Sequence, residues 1–289
     1  MKNFTIRNRW FYLGWILSVP MILLAQTDLS SLKKSLTFAA TFDHNVMANF
    51  SQGEDALFMA PAYGELRDPA INQLPTHISR VDGGKVGQAL AFSAKEKSVI
   101  FYRAEHNVAY SKGDWSGTVS LWMRVNPEED LAPGYTDPIQ ITDSGYDDAA
   151  LWVDFSDVNP RDFRMGVFGD VESWNPQKKN PDANPDFQKR LIKAAGRPFS
   201  SSEWTHVLMT FDHLNSGKGL ARFYINGKLQ GDRSIEEPFT WDESEAKIFI
   251  GLNYIGQLDE VSIFNRALQD SEIQKLYGLE GGIEELIDE

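Results

Sequence analysis

Short segments of alternating apolar and polar residues run through most of the chain. They are rich in β-branched and aromatic residues and are separated by turn residues, which is the pattern of β-strands. Asn226-Gly227 predicts a hairpin turn, because both positions tolerate positive φ. Only residues 270–277 are typical of a helix, which Gly278 ends. The clearest strand segments cover residues 98–102, 117–125, 138–142, 149–156, 161–169, 203–212, 221–227, 247–252 and 257–264.

Many short strands with almost no helix predict an all-β fold. We expect a two-sheet antiparallel β-sandwich, or jelly roll, with one short C-terminal helix. Two long segments interrupt the pattern, residues 44–80 and 170–190, and the second contains three Asn-Pro pairs that exclude a central strand. Long segments in a compact domain are often functional, and otherwise simply mobile. We expect the acidic tail, residues 279–289, to be frayed.

The N-terminus has the pattern of a signal peptide. Three basic residues precede an apolar run at residues 11–25, which is short for a membrane span. We expect residues 1–25 to be cleaved, 26–35 to be a linker and 36–278 to form one domain. The mature protein would be secreted or periplasmic, with no membrane insertion. An uncleaved single-span anchor is the alternative.

Composition removes several functional classes. The 289 residues include no cysteine, which excludes disulfides, cysteine–zinc sites and thiol catalysis. For an exported protein, the lack of disulfides fits a bacterial periplasm or cell exterior. The net charge is −13, and loss of residues 1–25, with three basic and no acidic residues, would make it −16. Such a surface repels nucleic acid and anionic membranes. The acidity either serves solubility or lets some carboxylates bind a hard cation.

Five segments carry a family resemblance. They are GKVGQALAF (84–92), GTVSLWMRV (117–125), EWTHVLMTFD (203–212), ARFYINGKLQG (221–231) and GQLDEVSIFNRALQDSEIQKLY (256–277). In this order they resemble LamG-like (laminin G-like) domains of the concanavalin A-like lectin/glucanase superfamily, over about residues 36–278. One position departs from the family pattern. Gln269 replaces the usual Ser or Thr cap of the last helix, although Glu272 keeps the other half of the capping box.

The resemblance implies a curved jelly roll of two antiparallel sheets whose concave face often binds glycans. Several strands place a mixed row of aromatic and polar residues opposite the apolar row, which suits sugar stacking and hydroxyl recognition. The alternative is that the long segments cover this face and that its tryptophans pack beneath them. The candidate ligand-binding residues are Trp122, Trp152, Asp154, His206, Arg222 and Tyr224 on strands, and Trp174 and Tyr254 in loops.

Asp259 raises a separate question, because alternation places it in the apolar row of Val261 and Ile263. A buried carboxylate there needs an arginine, backbone N–H groups or a metal as its partner. The resemblance implies a structural calcium that joins the last strand to the first, with Asp43 as a partner ligand. The glycine-rich turn at residues 83–85 offers a further oxygen ligand, the carbonyl of Gly84. The alternative is that Asp259 caps a turn and Asp43 is a solvated loop acid.

The sequence offers no catalytic residue. Retaining glycosidases need two carboxylates about 5 Å apart, and the Glu-x-Asp-x(x)-Glu run of the superfamily's β-glucanases does not occur. Asp154 and Asp157 fall on opposite strand faces, although an acid pair from different strands would not show in the sequence. The chain also has no histidine metal spacing, nucleophile elbow or phosphate loop.

These observations predict an exported, non-catalytic glycan-binding or adhesive module with a structural calcium. Its partner would be a glycan or polysaccharide, or else a cell-surface protein. Two alternatives stay open. One is a glycan-cleaving enzyme of the same fold with an unrecognised carboxylate pair, and the other is a cell-surface protein-binding module.

Overall fold

The computed structural model describes Met1 and residues 29–287 of the protein. These residues form two antiparallel sheets. The nine-stranded sheet contains β1 (Leu36–Ala40), β2 (Phe50–Ser51), β5 (Ile78–Asp82), β6 (Gln88–Phe92), β8 (Trp115–Arg124), β13 (Thr205–Leu214), β14 (Gly219–Ile225), β15 (Lys228–Ile235) and β17 (Gly256–Phe264). The eight-stranded sheet contains β3 (Phe58–Ala60), β4 (Ala70–Ile71), β7 (Val99–Arg103), β9 (Thr136–Thr142), β10 (Ala150–Phe155), β11 (Phe163–Phe168), β12 (Leu191–Lys193) and β16 (Lys247–Leu252).

Strand order places β8, β17 and β13 in the middle of the nine-stranded sheet, which runs β15-β14-β13-β8-β17-β1-β2. In the same sheet β6 pairs with both β17 and β5. The eight-stranded sheet runs β12-β11-β10-β9-β16-β7-β3-β4. All nine strands expected from the sequence occur, with ends shifted by at most two residues. The prediction of a two-sheet antiparallel sandwich is therefore confirmed.

The core lies between the sheets and is built from the apolar row of each strand. On β8, for example, Val119, Leu121 and Met123 are buried in the main core cluster. The polar and aromatic residues between them, such as Ser120 and Trp122, face the outside of the sandwich, as the two-residue period of a strand requires. Each sheet therefore has an outer face whose covering decides what it can bind.

The described residues also contain four short helices: α1 (Ser30–Ser35), α2 (Val171–Trp174), α3 (Pro185–Gln188) and α4 (Asp270–Tyr277). Two 3-10 turns accompany them, at Pro181–Ala183 and Gly282–Leu286. The last helix has the predicted bounds, and the Glu272 carboxylate accepts a hydrogen bond from the Gln269 N–H at 3.0 Å. Among the described residues, no helix combines the length and apolar character needed to cross a membrane. Apart from Met1, the expected signal peptide lies outside the described residues.

The C-terminal segment is packed rather than frayed. Its 3-10 turn buries Ile283 and Leu286 in an apolar cluster on the outer face of the nine-stranded sheet, together with Leu276 of α4 and Phe264 of β17. The expectation of a frayed tail is therefore wrong as far as residue 287. The acidic residues of the tail suggested that it is solvated. Three apolar side chains at helical spacing, Leu279, Ile283 and Leu286, instead pack it against the sheet.

β17 contains a bulge that changes the face of Asp259. Leu258 lies opposite Met123 and Ile263 lies opposite Val119, both in the core, but Asp259 lies opposite the outward-facing Trp122. One extra residue stands between these pairs, and Glu260 there has φ of 53°. The prediction that Asp259 shares the buried row of Ile263 is therefore wrong, because strict alternation does not survive a bulge.

Candidate functional site

A cleft of about 500 Å³ opens on the outer face of the eight-stranded sheet. One wall is residues 62–64, from the first of the two long segments, and the other includes Phe187 in α3, from the second. The segments that interrupt the strand pattern thus form the sides of a cavity above the sheet. The floor comes from the central strands β9, β10 and β11, which contribute Gln140, Trp152, Asp154 and Arg164.

Aromatic packing makes the floor rigid. The Trp152 ring stacks on Phe168 with 5.6 Å between centroids, and its Nε1 donates to the Tyr146 carbonyl at 2.7 Å. Trp152 is only 2% exposed, whereas the Tyr146 side chain at the rim is 43% exposed. The half-buried Tyr63 of the wall is fixed to the floor, because its hydroxyl accepts a hydrogen bond from Gln140 Nε2 at 2.6 Å. Tyr146 is therefore the ring best placed to meet a ligand.

The floor also carries a buried ion pair. The Arg164 guanidinium binds the Asp154 carboxylate through two hydrogen bonds, Nε to Oδ1 at 2.8 Å and Nη2 to Oδ2. Asp137 of β9 lines the same cleft. Burial, and then the neighbouring Asp154 charge, raise the pKa of Asp137 well above its ordinary value, although Arg164 opposes the shift. The cleft therefore holds two carboxylates close enough to repel and one guanidinium.

Trp122 and His206 lie on the other sheet, beneath α4. The Trp122 ring stacks on Tyr277 with 5.6 Å between centroids, and Lys85 Nζ lies 4.6 Å from it. His206 Nε2 lies 2.8 Å from Ser120 Oγ, and burial, followed by the Lys85 charge, lowers the pKa of His206 to about 3. This aromatic row therefore packs under a helix.

The remaining candidates are separated from both places. Arg222 and Tyr224 of β14 line a shallow depression, where the Tyr224 hydroxyl donates to Asp270 at 2.9 Å. Tyr254 is buried between the sheets, edge-on to Phe92. Trp174 packs on Phe168 beside the cleft and donates to the Asp147 carbonyl at 3.0 Å. Of the eight candidates, the structure places only Trp152 and Asp154 in the cleft lining.

Sequence reasoning missed most of the cleft. Gln140 and Arg164 carried a usable signal, since each alternates with core residues on its strand, Ile139 and Met165 among them. Tyr63 and Tyr146 carried no such signal, because they lie in segments without a regular alternation of apolar and polar residues. Asp137 could not be found by alternation, because a bulge lies between β9 and β10: Val153 pairs with Ile139 and Phe155 with Thr136, so one residue of β10 faces two of β9.

Asp43 and Asp259 hold the same turn, residues 83–88, against the sandwich. Asp259 Oδ2 accepts a hydrogen bond from Lys85 N at 2.7 Å, and Asp43 Oδ1 accepts one from Gln88 N at 2.6 Å. Backbone N–H groups are thus one partner of the buried Asp259 carboxylate. Gly84 allows the close approach, since a Cβ there would lie 2.7 Å from Asp259 Oδ2. Burial, and then the Glu260 charge, raise the pKa of Asp259 to about 9.

The carboxylates of Asp43 and Asp259 and the carbonyl of Gly84 are oxygen donors of the type that calcium accepts, although both Asp259 oxygens already accept hydrogen bonds from backbone N–H groups. Residues 29–287 contain no group of three or more His, Asp or Glu side chains with the spacing of a metal site. A cation here would therefore use the two carboxylates of Asp43 and Asp259 and take further oxygens from backbone carbonyls, such as that of Gly84. Calcium accepts such mixed sets. A bound cation would also oppose the effects of burial and of the Glu260 charge, which raise the pKa of Asp259.

Comparison with solved structures finds jelly-roll binding domains. Domain 4 of an extracellular GH43 arabinanase from Geobacillus stearothermophilus, solved with arabinotriose, is 19% identical with a TM-score of 0.52, covering 83% of this chain and 97% of that one. The binding domain of botulinum neurotoxin DC, solved with rat synaptotagmin II, is 15% identical with a TM-score of 0.55, covering 85% and 51%. This chain spans about half the length of that toxin chain. At these identities the likeness shows the fold alone.

The binding domain of Paraclostridial Mosquitocidal Protein 1 is similar at the same level, with 20% identity and a TM-score of 0.55 over 85% of this chain and 52% of that one. No curated protein matches the chain. A sequence model of a laminin G-like family, described as the concanavalin A-like lectin/glucanases superfamily, matches residues 104–274. Because this match spans more than half of the chain, the protein belongs to the concanavalin A-like lectin/glucanases superfamily, in its laminin G-like family.

Proposed function

We propose that the protein is an exported glycan-binding module whose ligand occupies the cleft of the eight-stranded sheet. The observation that carries the proposal is the cleft itself, with an aromatic floor, an exposed Tyr146 ring and polar groups held in fixed positions. Binding sites for small ligands combine such apolar walls with a few oriented polar groups. Flat rings suit the C–H face of a sugar, and the Gln140 amide and the Asp154–Arg164 pair suit its hydroxyls.

The charge of the cleft favours a neutral glycan. Its lining contains three acidic and two basic side chains, Glu96, Asp137, Asp154, Lys97 and Arg164. Arg164 is already paired with Asp154, so it offers little attraction to a sulfate or uronate. The acidic chain as a whole would also repel polyanions. The arabinotriose bound to the arabinanase domain is a neutral oligosaccharide and supports this class of ligand.

Calcium at the 83–88 turn is the second part of the proposal. Asp43, Asp259 and the Gly84 carbonyl would hold the ion, which would tie β17 and the end of the first strand to the turn. Its role would be structural, because the turn lies near the nine-stranded sheet, away from the cleft lining.

Export depends on residues 1–25 and is tested by N-terminal sequencing of the protein recovered from the producing cells and their medium.

A glycan-array screen in calcium and again in chelator tests the function. We expect binding to neutral oligosaccharides, with arabinotriose included as a probe. Tyr146→Ala should weaken that binding, whereas Leu229→Ala, which removes an exposed apolar side chain on the other sheet, should not. Absence of binding to every glycan in both conditions would contradict the proposal and turn the search to a protein partner. A neurotoxin binding domain of similar fold was solved with such a partner.

A further inference from the structure

The bulge between β9 and β10 places Asp137 at the floor of the cleft. Alternation from the core residues Ile139 and Ile141 would point its side chain into the core. The bulge turns it outward instead, and Asp137 lines the cleft together with Asp154 of β10 and Arg164 of β11. Bulges often re-aim side chains in this way next to functional sites.

Asp137 differs from the other two charged groups of the floor in its contacts. The side chains of Asp154 and Arg164 are almost fully buried and are held by two hydrogen bonds to each other. Asp137 is partly exposed, and its side chain forms no hydrogen bond or ion pair with any described residue. On its other side, β16 places the apolar Leu252 opposite it. Asp137 is therefore the ionisable group of the floor that a ligand can reach.

The other charged groups of the lining leave Asp137 without a cation of its own. Arg164 is bound to Asp154, and the exposed Glu96 and Lys97 carry opposite charges. The enclosed floor, and then the Asp154 charge, raise the pKa of Asp137, and the Arg164 charge opposes the shift without cancelling it. The remaining titratable groups of the lining are three tyrosine hydroxyls, those of Tyr63, Tyr135 and Tyr146.

We propose that Asp137 binds the glycan as a neutral carboxylic acid, so that the cleft takes up a proton with its ligand and releases the ligand as the pH rises. This inference rests on the proposed function, because the ligand is the neutral glycan in the same cleft. A neutral carboxyl group can donate a hydrogen bond to a sugar oxygen and accept one from a sugar hydroxyl, whereas a carboxylate can only accept.

The physical reason is that a glycan in the cleft disfavours the charged form of Asp137. The glycan removes the water that reaches this side chain in the free protein, and it brings no positive charge in exchange. The pKa of Asp137 is therefore higher in the complex than in the free protein. Affinity is highest while Asp137 is protonated in the free protein. It falls as the pH rises above the pKa that Asp137 has there, by up to about tenfold per pH unit.

Calorimetric titrations between about pH 4 and pH 9 test the inference, with arabinotriose and the neutral oligosaccharides that bind on the array as probes. The wild type should lose at least about tenfold in affinity across this range. Asp137→Asn keeps a donor and an acceptor but cannot ionise, so its affinity should not vary with pH. Asp232→Asn, on the exposed surface of β15, is the matched control and should follow the wild type. Circular dichroism at each pH checks that the proteins are folded.

Proton uptake is a second readout and needs no variant. The wild type is titrated in two buffers of different ionisation enthalpy, at a pH where its affinity is falling. The difference in heat should correspond to uptake of up to about one proton per glycan bound. Asp137→Asn should show no such difference.

The outcomes separate this inference from the proposed function. Wild-type binding that does not vary with pH and takes up no proton would overturn the inference and leave the binding module intact. The same pH profile in the wild type and in Asp137→Asn would also overturn it, since another group would then titrate. Absence of binding to every glycan at every pH would overturn the proposed function, and the inference with it.

Discussion

The outer face of the nine-stranded sheet is covered, whereas the outer face of the eight-stranded sheet keeps an open cleft. The cover of the first is apolar, formed by Leu276, Ile283 and Leu286 packed on residues of the sheet. The walls of the second are attached by separate contacts, such as the hydrogen bond between Gln140 and Tyr63 and the packing of Phe187 on Trp152. The same type of mixed aromatic and polar row therefore lies under an apolar cover on one sheet and forms the floor of a cleft on the other.

The largest expected effect tests the cover. Ile283→Ala should lower the free energy of unfolding by about 2–5 kcal/mol, because it leaves a cavity in a buried apolar cluster. Glycan affinity at a temperature where the variant stays folded should not change. The measurements are denaturant unfolding and titration with an array-selected glycan. A large loss of affinity without a loss of stability would show that the covered face takes part in binding.

The second effect concerns Asp259 and Glu260, the two buried acids at the bulge of β17. The pKa values of Glu260 and Asp259 are raised, to about 7 and about 9, chiefly by burial. When the pKa of an acid is higher in the folded state than in the unfolded state, protonation stabilises the folded protein at low pH. This stability is lost as the pH rises through the folded-state pKa. In chelator, thermal stability should therefore fall between pH 7 and 9, by up to about 2 kcal/mol for Asp259, at about 1.4 kcal/mol per proton and pH unit.

This pH window avoids His206, whose lowered pKa works in the opposite direction but only below its unfolded value near 6.5. Asp259→Asn should flatten the loss above pH 7. Calcium should remove the loss in the wild type and have no effect on the variant. Equal melting of wild type and Asp259→Asn across pH 7–9, with and without calcium, would contradict both the buried charge and the ion.

A smaller effect is expected in the open cleft. Tyr146→Ala should weaken glycan binding roughly tenfold, which corresponds to about 1.4 kcal/mol, because it removes the exposed stacking ring. The melting temperature should stay the same, since the side chain is 43% exposed. Calorimetric titration and a thermal melt measure the two quantities. A variant that melts earlier and binds normally would assign Tyr146 a structural role instead.

The strands and the last helix could be predicted because alternation and turn residues act locally. Faces could be predicted only where the strand pairing is regular. The bulges at Asp259 and Asp137 depend on a partner strand, so alternation misplaces both acids. The walls of the cleft depend on tertiary contacts of aperiodic segments, which is why Tyr63 and Phe187 gave no signal. The sequence thus identified outward rows, and the covers above them were set by distant parts of the chain.

The smallest expected effect sharpens the comparison from the covered sheet. Arg222 lies on the outer face of β14, partly exposed in a shallow depression away from the cleft. Arg222→Ala should change stability by no more than about 0.5 kcal/mol, as is usual for surface positions. It should also leave glycan affinity unchanged in the same titration. Loss of binding in this variant, with Tyr146→Ala binding normally, would move the ligand to the nine-stranded sheet and reverse the roles of the two faces, because the depression at Arg222 shares no lining residue with the cleft.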